Sequence, residues 1–270
     1  MTGRVSYDYS GKLCIVTGAG GGIGRETAAA FAAAGASLGL IDLNRDTLVE
    51  TEQAMQELGA RTIAVACDTT DQAAVVAAHA RIKATLGACD VLVNNAGILA
   101  AGALETLDLA AWNKVLAVNL TAYFICAQAF GRDMLERGSG SLVHVASIAG
   151  SQPQPWSGSY SVAKIGVTML SRQLAYEWGP RGVRSNSLSP GLVRTPMSEA
   201  FYQAGDVAQR RADLVPLRRV ASPPDMANVA AWLGSEGAAY VTGQDIVVDG
   251  GLGQIVMGTV PRPGFTANQA

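Results

Sequence analysis

Short apolar runs rich in β-branched residues alternate along this chain with longer stretches whose apolar positions recur every three to four residues. KLCIVTG (12–18), SLGLIDL (37–43), TIAVACD (62–68) and DVLVNNAG (90–97) are apolar on both faces and end in turn residues, the pattern of strands buried in a parallel sheet. Between them, 25–35, 45–59 and 71–87 have helical length and close on glycine. The alternation continues with a helix over 108–137, a strand at 141–147, a helix over 158–179, a strand at 183–190, a helix at 224–234 and a strand at 244–250. Such alternation predicts βαβ units, and hence an α/β fold: a single-domain, Rossmann-like, doubly wound parallel sheet of about seven strands with helices on both faces. Residues 192–222 form the longest stretch without a clean period, and 1–10 and 258–270 read as tails.

Composition narrows the partners. The 270 residues are 49% hydrophobic and 16% charged, which fits a compact enzyme-like chain and excludes a disordered one. A net charge of −2 offers no basic field for nucleic acid or an anionic membrane surface. The N-terminus has no signal-peptide core, and the Ala-rich run 27–41 is too short and glycine-broken to span a bilayer, so a soluble cytoplasmic protein is expected. Cys14, Cys67, Cys89 and Cys126 are far apart, and with His79 and His144 they form no ligand-spaced cluster, so no metal is expected. Two histidines make a His-based triad improbable, and His144 reads as a satisfied strand residue.

The chemistry concentrates at strand ends. TGAGGGIG (17–24) joins the first strand to a helix, and its glycines let backbone N–H groups approach phosphates at a helix N-terminus. The spacing is TGxxxGxG, through Thr17, Gly18, Gly22 and Gly24; GxGxxG fails because its sixth position is Ile23. Asp42 ends the second strand 18 residues after Gly24, near the offset of the acid that binds an adenosine ribose. A carboxylate there repels a 2′-phosphate, so NAD(H) is favoured over NADP(H); Leu43 and Gly21 supply no rescuing cation, and Arg45 reads as a solvated helix charge. Asn94 and Asn95 close a buried strand, and Asn119 sits in an otherwise apolar helix, where its amide must be bonded. In SYSVAKIG (159–166), Tyr160 and Lys164 lie one turn apart on one helix face. An ammonium ~5 Å from a phenol, at an effective dielectric of ~20, favours phenolate by about 3 kcal/mol, roughly two pKa units.

TGAGGGIG, NNAG (94–97), Asn119, Ser147 placed 13 residues before Tyr160, the YxxxK pair, and Pro190–Gly191 followed by Thr195 together resemble the short-chain dehydrogenase/reductase family. The resemblance covers about 10–252 and ends in GQDIVVDGG. It implies an NAD(H)-dependent oxidoreductase that interconverts a secondary alcohol and a ketone by hydride transfer. By the same resemblance Tyr160 is the general acid/base and Ser147 orients the substrate oxygen. Lys164 lowers the Tyr160 pKa and holds the nicotinamide ribose, while Asn119 distorts its helix and positions a relay water. Gly18, Gly22, Ile23, Gly24, Asp42, Leu43, Asp68, Thr69, Asn95, Ala96, Gly97, Pro190, Gly191, Val193 and Thr195 are the implied cofactor contacts, with NNAG also supporting the central strand.

The stretch 192–222 corresponds to the family's substrate lid. Met197, Phe201 and Tyr202 stand in it at helical spacing, and Trp156 and Leu99 are further candidate pocket walls, pointing to an apolar or aromatic secondary alcohol. Arg194, Arg210 and Arg211 keep an anionic substrate open. Family members of this length imply a homotetramer, with the helices at 108–137 and 158–179 packed against neighbours and the closing GLGQIVMGTVPRPGF reaching another subunit. Two alternatives stay open: a 3-oxoacyl or steroid-type reductase of the same family, and a non-catalytic NAD-sensing regulator. Asp42 weighs against the first, because biosynthetic reductases commonly use NADPH. The second would be expected to lack part of the Asn/Ser/Tyr/Lys set, which is complete here.

Overall fold

Alternate side chains of the apolar runs feed two separate cores, which is why those runs are apolar on both faces. The computed structural model describes residues 7–203 and 205–260. Seven strands, β1 Leu13–Thr17, β2 Ser37–Asp42, β3 Thr62–Ala66, β4 Val91–Asn94, β5 Gly140–Val145, β6 Val183–Pro190 and β7 Asp245–Val248, form one parallel sheet in the order β3-β2-β1-β4-β5-β6-β7. Cys14, Val16, Val93 and Val143 pack on one face with Phe31, Met226 and Leu233. Leu13, Ile15, Leu92 and Leu142 pack on the other with Ile82, Phe130 and Leu174.

The helices are α1 Gly22–Ala33, α2 Arg45–Glu57, α3 Gln72–Leu86, α4 Leu109–Leu116, α5 Ala122–Arg137, the single turn α6 Ile148–Ser151, α7 Tyr160–Trp178, α8 Val207–Leu214 and α9 Pro223–Gly234. Local chemistry sets their ends. Asn44, Asp71 and Asp108 accept backbone N–H groups at the starts of α2, α3 and α4. Ser222 and Asp225 form a reciprocal capping box on α9 behind Pro223. Gly138, at φ 77°, ends α5 in the left-handed region. The chain reverses direction across the sheet between β1 and β4, so the crevice at their C-terminal ends is a topological switch point.

The predicted element order is observed, with informative differences. Gly18, Leu43, Asp68 and Asn95–Gly97 leave the ladder, since the backbone there turns away into the loops above the sheet. The helix predicted over 108–137 is interrupted by a π-helical segment, Ala117–Thr121. By length and composition the 29-residue run Leu109–Arg137 could cross a membrane. Its inner face, however, carries Cys126, Phe130 and Met134 into the sheet core. The segment 192–222 contains a 3₁₀ turn, Glu199–Tyr202, before α8. Part of the predicted C-terminal tail forms 3₁₀ turns at Leu252–Gln254 and Val256–Thr259; 1–6 and 261–270 lie outside the described residues. All four cysteines are buried free thiols.

Asp133 on α5 joins α3 to the body. Its buried carboxylate accepts from Lys83 Nζ (2.6 Å), His79 Nε2 (2.9 Å) and the Cys89 amide (3.2 Å). Asp133→Ala leaves the buried Cys89 N–H unpaired, so a loss of about 2–3 kcal/mol in chemical denaturation is expected; unchanged stability would show the cluster to be dispensable.

Candidate active site

Above the C-terminal edge of the sheet lies a cleft of about 380 Å³. Its walls are the glycine turn after β1, the NNAG segment after β4, the ends of β5 and β6, the first turns of α7, and the segment 192–202. The C-terminal ends of β1, β2, β4, β5 and β6 each contribute a residue that the motifs single out.

The glycine turn is shaped by contact. At Gly18 (φ +65°) an added Cβ would stand 2.8 Å from the Ala96 Cα, and at Gly24 it would stand 2.0 Å from the Gly18 carbonyl oxygen. Both glycines therefore allow α1 to approach β1 and β4 closely. Gly21, at the N-cap of α1, brings no side chain to cap the helix, so its first amides have no side-chain acceptor and border the cleft at Gly21, Gly22 and Ile23. That is a cradle for a phosphate at the positive end of a helix. Across it, Thr195 and Pro196 face Gly22 and Gly21.

Asp42 borders the cleft, where its Oδ2 accepts the Gly20 amide (2.8 Å) and its Oδ1 the Asn44 amide (2.9 Å). These bonds orient the carboxylate and leave lone pairs for a vicinal diol. Leu43 is 73% exposed, and it, Asp68 and Thr69 lie outside the cleft lining, as does the exposed Arg45. Asp68 is occupied with the backbone and hydroxyl of Thr70. Asn95 pins the two central loops together: its amide nitrogen donates to the Thr17 and Gly18 carbonyls (3.1 Å each), and Thr17 Oγ1 accepts the amides of Asn95 and Ala96. Ala96, Gly97, Pro190, Gly191 and Val193 all border the cleft, whereas Gly24 supports it from behind.

Asn119 lies in the π-helical segment, fully buried. Its Nδ2 takes the Val115 carbonyl (3.1 Å), the acceptor of an ordinary helical turn, and also reaches the Ile98 carbonyl (2.9 Å), while Oδ1 accepts the Ile98 amide (3.1 Å). The side chain thus competes with the helix for its own backbone, and the turn widens. The helix distortion expected at this residue is present, and it holds the segment after NNAG in place.

Ser147, Tyr160 and Lys164 meet at the centre of the cleft. Ser147 caps α6, where its Oγ accepts the Ala149 amide (3.1 Å), which leaves its own proton to donate, and it lies near enough to the Tyr160 phenol to hold that group's pKa down. Tyr160 opens α7, placing the phenol at the positive end of a 19-residue helix. Lys164 is buried: Nζ donates to the Val145 carbonyl (2.7 Å) and the Tyr123 hydroxyl (3.2 Å), and lies 5.7 Å from the Tyr160 ring centre. The Tyr123 hydroxyl donates to the same carbonyl (3.0 Å). Burial dominates both titrating groups. It pushes the Tyr160 phenol above its ordinary value, which the Ser147 hydroxyl opposes, and it pulls the Lys164 ammonium down to about 7.

Of the residues expected at the substrate end, Leu99, Met197, Phe201 and Tyr202 border the cleft. Trp156 does not: it is 72% exposed on a residue with φ 57°, and Gln154 of the same loop lines the cleft in its place. Arg194 and Arg210 lie outside the lining and Arg211 within it. Tyr123 was not foreseen. Its one sequence signal is its position, four residues after Asn119, one turn along the same face. His144 is half satisfied rather than fully so: Nδ1 meets the Asn94 amide (3.1 Å), but Nε2 has no partner among the described residues, and burial lowers its pKa to about 3.

Three comparisons bear on this arrangement. Residues 18–253 match the family model described as Enoyl-(Acyl carrier protein) reductase. The chain is 42% identical over 256 residues to galactitol 2-dehydrogenase (L-tagatose-forming) of Cereibacter sphaeroides, covering 93% of this chain and 98% of that one. Among solved structures it is similar to a short-chain type dehydrogenase/reductase from Mycobacterium marinum (TM-score 0.86, 31% identity, 91% and 96% covered). It is also similar to a gluconate 5-dehydrogenase from Burkholderia cenocepacia J2315 in complex with NADP and tartrate (TM-score 0.86, 30% identity, 91% and 96% covered).

Because the folded-state pKa of Lys164 lies near 7 against an ordinary 10.5, the unfolded chain holds a proton between those pH values that the folded chain has released. The charged lysine therefore costs stability fully below pH 7, and the cost vanishes as pH rises to 10.5. Lys164→Met is expected to raise the melting temperature by a few degrees at pH 7 and by less at pH 10. A lower melting temperature at pH 7 would contradict the burial cost.

Proposed function

The chain belongs to the short-chain dehydrogenase/reductase family, and from that premise we propose that it oxidises a secondary alcohol with NAD⁺ through Tyr160 as the proton-transfer group. It is an oxidoreductase that interconverts a secondary alcohol and a ketone, using a nicotinamide dinucleotide. The observation that carries the mechanism is the convergence of Ser147, Tyr160 and Lys164 in one cleft, opposite a helix N-terminus whose amides are left uncapped. We assign these roles to a single domain over 1–270, with its core at about 10–252, acting in the cytoplasm.

The cradle fits a dinucleotide. Amides at Gly22 and Ile23 would hold the diphosphate, Asp42 the adenosine ribose, the Asn95–Gly97 segment the adenosine side, Thr195 the carboxamide, and Tyr160 with Lys164 the second ribose. When bound, the nicotinamide supplies a hydride acceptor for alcohol oxidation and a hydride donor for ketone reduction. The remaining steps belong to the chain. Ser147, whose Oγ already accepts the Ala149 amide, donates to the substrate oxygen and so orients the carbinol. Tyr160 takes the hydroxyl proton in oxidation and returns one to the carbonyl in reduction. A charged Lys164 and the α7 N-terminus both favour the phenolate, against the burial that opposes it. Asn119 holds the segment at Ile98 and, on this reading, positions the water that exchanges protons with Lys164.

Two further features support the reading. Galactitol and gluconate, named for the relatives, each present secondary carbinols, and the cleft offers Gln154, Ser147 and Ser198 beside its apolar walls. Phe124 on α5 and Val162, Ile165, Met169 and Tyr176 on α7 are exposed, which supports a homotetramer built through those helices.

Tyr160→Phe is expected to lower kcat by about 100- to 10,000-fold in a steady-state assay while leaving cofactor affinity within about twofold; activity within tenfold of wild type would overturn the assignment. The carboxylate of Asp42 predicts kcat/KM at least ~100-fold higher with NAD⁺ than with NADP⁺, and a ratio at least ~10-fold smaller in Asp42→Ala. Equal use of the two cofactors by the wild type would contradict it.

A further inference from the structure

Five arginines lie in or beside the lid, at 194, 210, 211, 218 and 219. Four of them are committed elsewhere. Arg194 forms a two-point ion pair with Glu199 (2.9 and 2.6 Å), and Arg219 forms one with Asp225 (2.7 Å twice). Arg210 pairs with Asp206 (3.4 Å), and Arg218 donates to the Asp213 carbonyl (2.9 Å). Arg211 differs on two counts, and like Arg194, whose Cζ stands 5.6 Å from the Tyr202 ring centre, it also packs on that ring. Among the described residues its guanidinium has no hydrogen bond and no ion pair, and the residues outside the description, 1–6, 204 and 261–270, contain no Asp or Glu. It borders the cleft, which the other four do not. Its Cζ lies 4.8 Å from the Tyr202 ring centre and 5.3 Å from that of Phe201, two rings that themselves form the cleft wall.

Aromatic rings stabilise a guanidinium through their faces but take none of its N–H donors. Arg211 is therefore held in place at the substrate end with its hydrogen-bonding edge unspent. The other formally charged side chains of the cleft are Asp42, bonded to the glycine turn, and Lys164, bonded to Val145 and Tyr123. The one acid in the lining is Asp42, whose two oxygens each accept a backbone amide. We propose that Arg211 receives a carboxylate of the substrate, so that the enzyme acts on hydroxy acids and the matching oxo acids. This inference rests on the dehydrogenase reading above and adds the substrate class to it. One guanidinium matches the single charge and planar, two-oxygen geometry of a carboxylate; a phosphate monoester would bring nearly two charges to one cation.

The test is reduction by the full-length protein, with NADH, of 3-oxobutanoate, 4-oxopentanoate and 5-oxohexanoate, each against its methyl ester, which keeps the ketone and removes the charge. The three chain lengths span different distances from the reacting carbon to the carboxylate. The expected result is at least one oxo acid with kcat/KM ~10-fold or more above its ester, a preference that collapses in Arg211→Gln, returns in part in Arg211→Lys, and shrinks with added salt. Esters reduced as well as the acids by the wild type at every length would overturn the inference while leaving the dehydrogenase reading intact. So would a preference that persists in Arg211→Gln. If Arg211→Gln instead weakens NADH binding in a fluorescence titration and leaves the acid-to-ester ratio unchanged, the arginine serves the cofactor and the inference also fails. Failure of the dehydrogenase reading would look different: no ketone, charged or neutral, would be reduced with either nicotinamide cofactor.

Discussion

A lysine ammonium buried behind the cleft is the constraint on which the site depends. Taking an isolated charge out of water costs several kcal/mol, and the fold offsets that cost only in part, with the Val145 carbonyl and the Tyr123 hydroxyl. A chain selected for stability alone would place an apolar residue there. Lys164 stands on the same helix face as Tyr160, and we propose that its charge makes the phenol more acidic inside a pocket whose burial raises its pKa.

The surrounding architecture serves that pair. Parallel strands deliver their C-terminal ends to one edge, so β5 brings Val145 and Ser147 beside α7, while β1 and β4 bring the glycine turn and NNAG at the switch point. The π-helical turn at Asn119 ties the loop after NNAG to the helix that carries Tyr123, and Tyr123 returns to Lys164. Hydrogen bonds thus hold Asn119, Tyr123 and Lys164 in place, the preorganisation that the proposed chemistry requires.

Much of this was legible in the sequence where the signal is local. Both-face apolar runs could only be interior strands. TGAGGGIG could only be a close-packed turn into a helix, and the four-residue spacing of Tyr160 and Lys164 becomes a shared face once a helix is assumed. What escaped depends on contacts between distant segments. The π-helical turn arises because Asn119 finds both the Ile98 backbone and its own helix within reach; apolar periodicity carries no trace of that competition, and only the family resemblance pointed to a distortion there. Tyr123 carries no motif of its own, and His144 reads as a satisfied strand residue, because their partners come from other elements. Trp156 was placed in the pocket by proximity to Tyr160 in sequence, yet the backbone of its loop turns it outward. The lid arginines were indistinguishable until their acids were found, since pairing in a segment without periodicity cannot be read from spacing.

Electrostatic activation of Tyr160 is the central claim, and its ionisation can be observed directly. In a near-ultraviolet titration of the protein saturated with oxidised nicotinamide cofactor, the wild type should form one phenolate well below the ordinary value of about 10 that a Tyr160→Phe control does not form. The same transition should move upward when Lys164 is replaced by methionine. Superimposable curves for the wild type and the Tyr160 control up to pH ~10 would contradict the account.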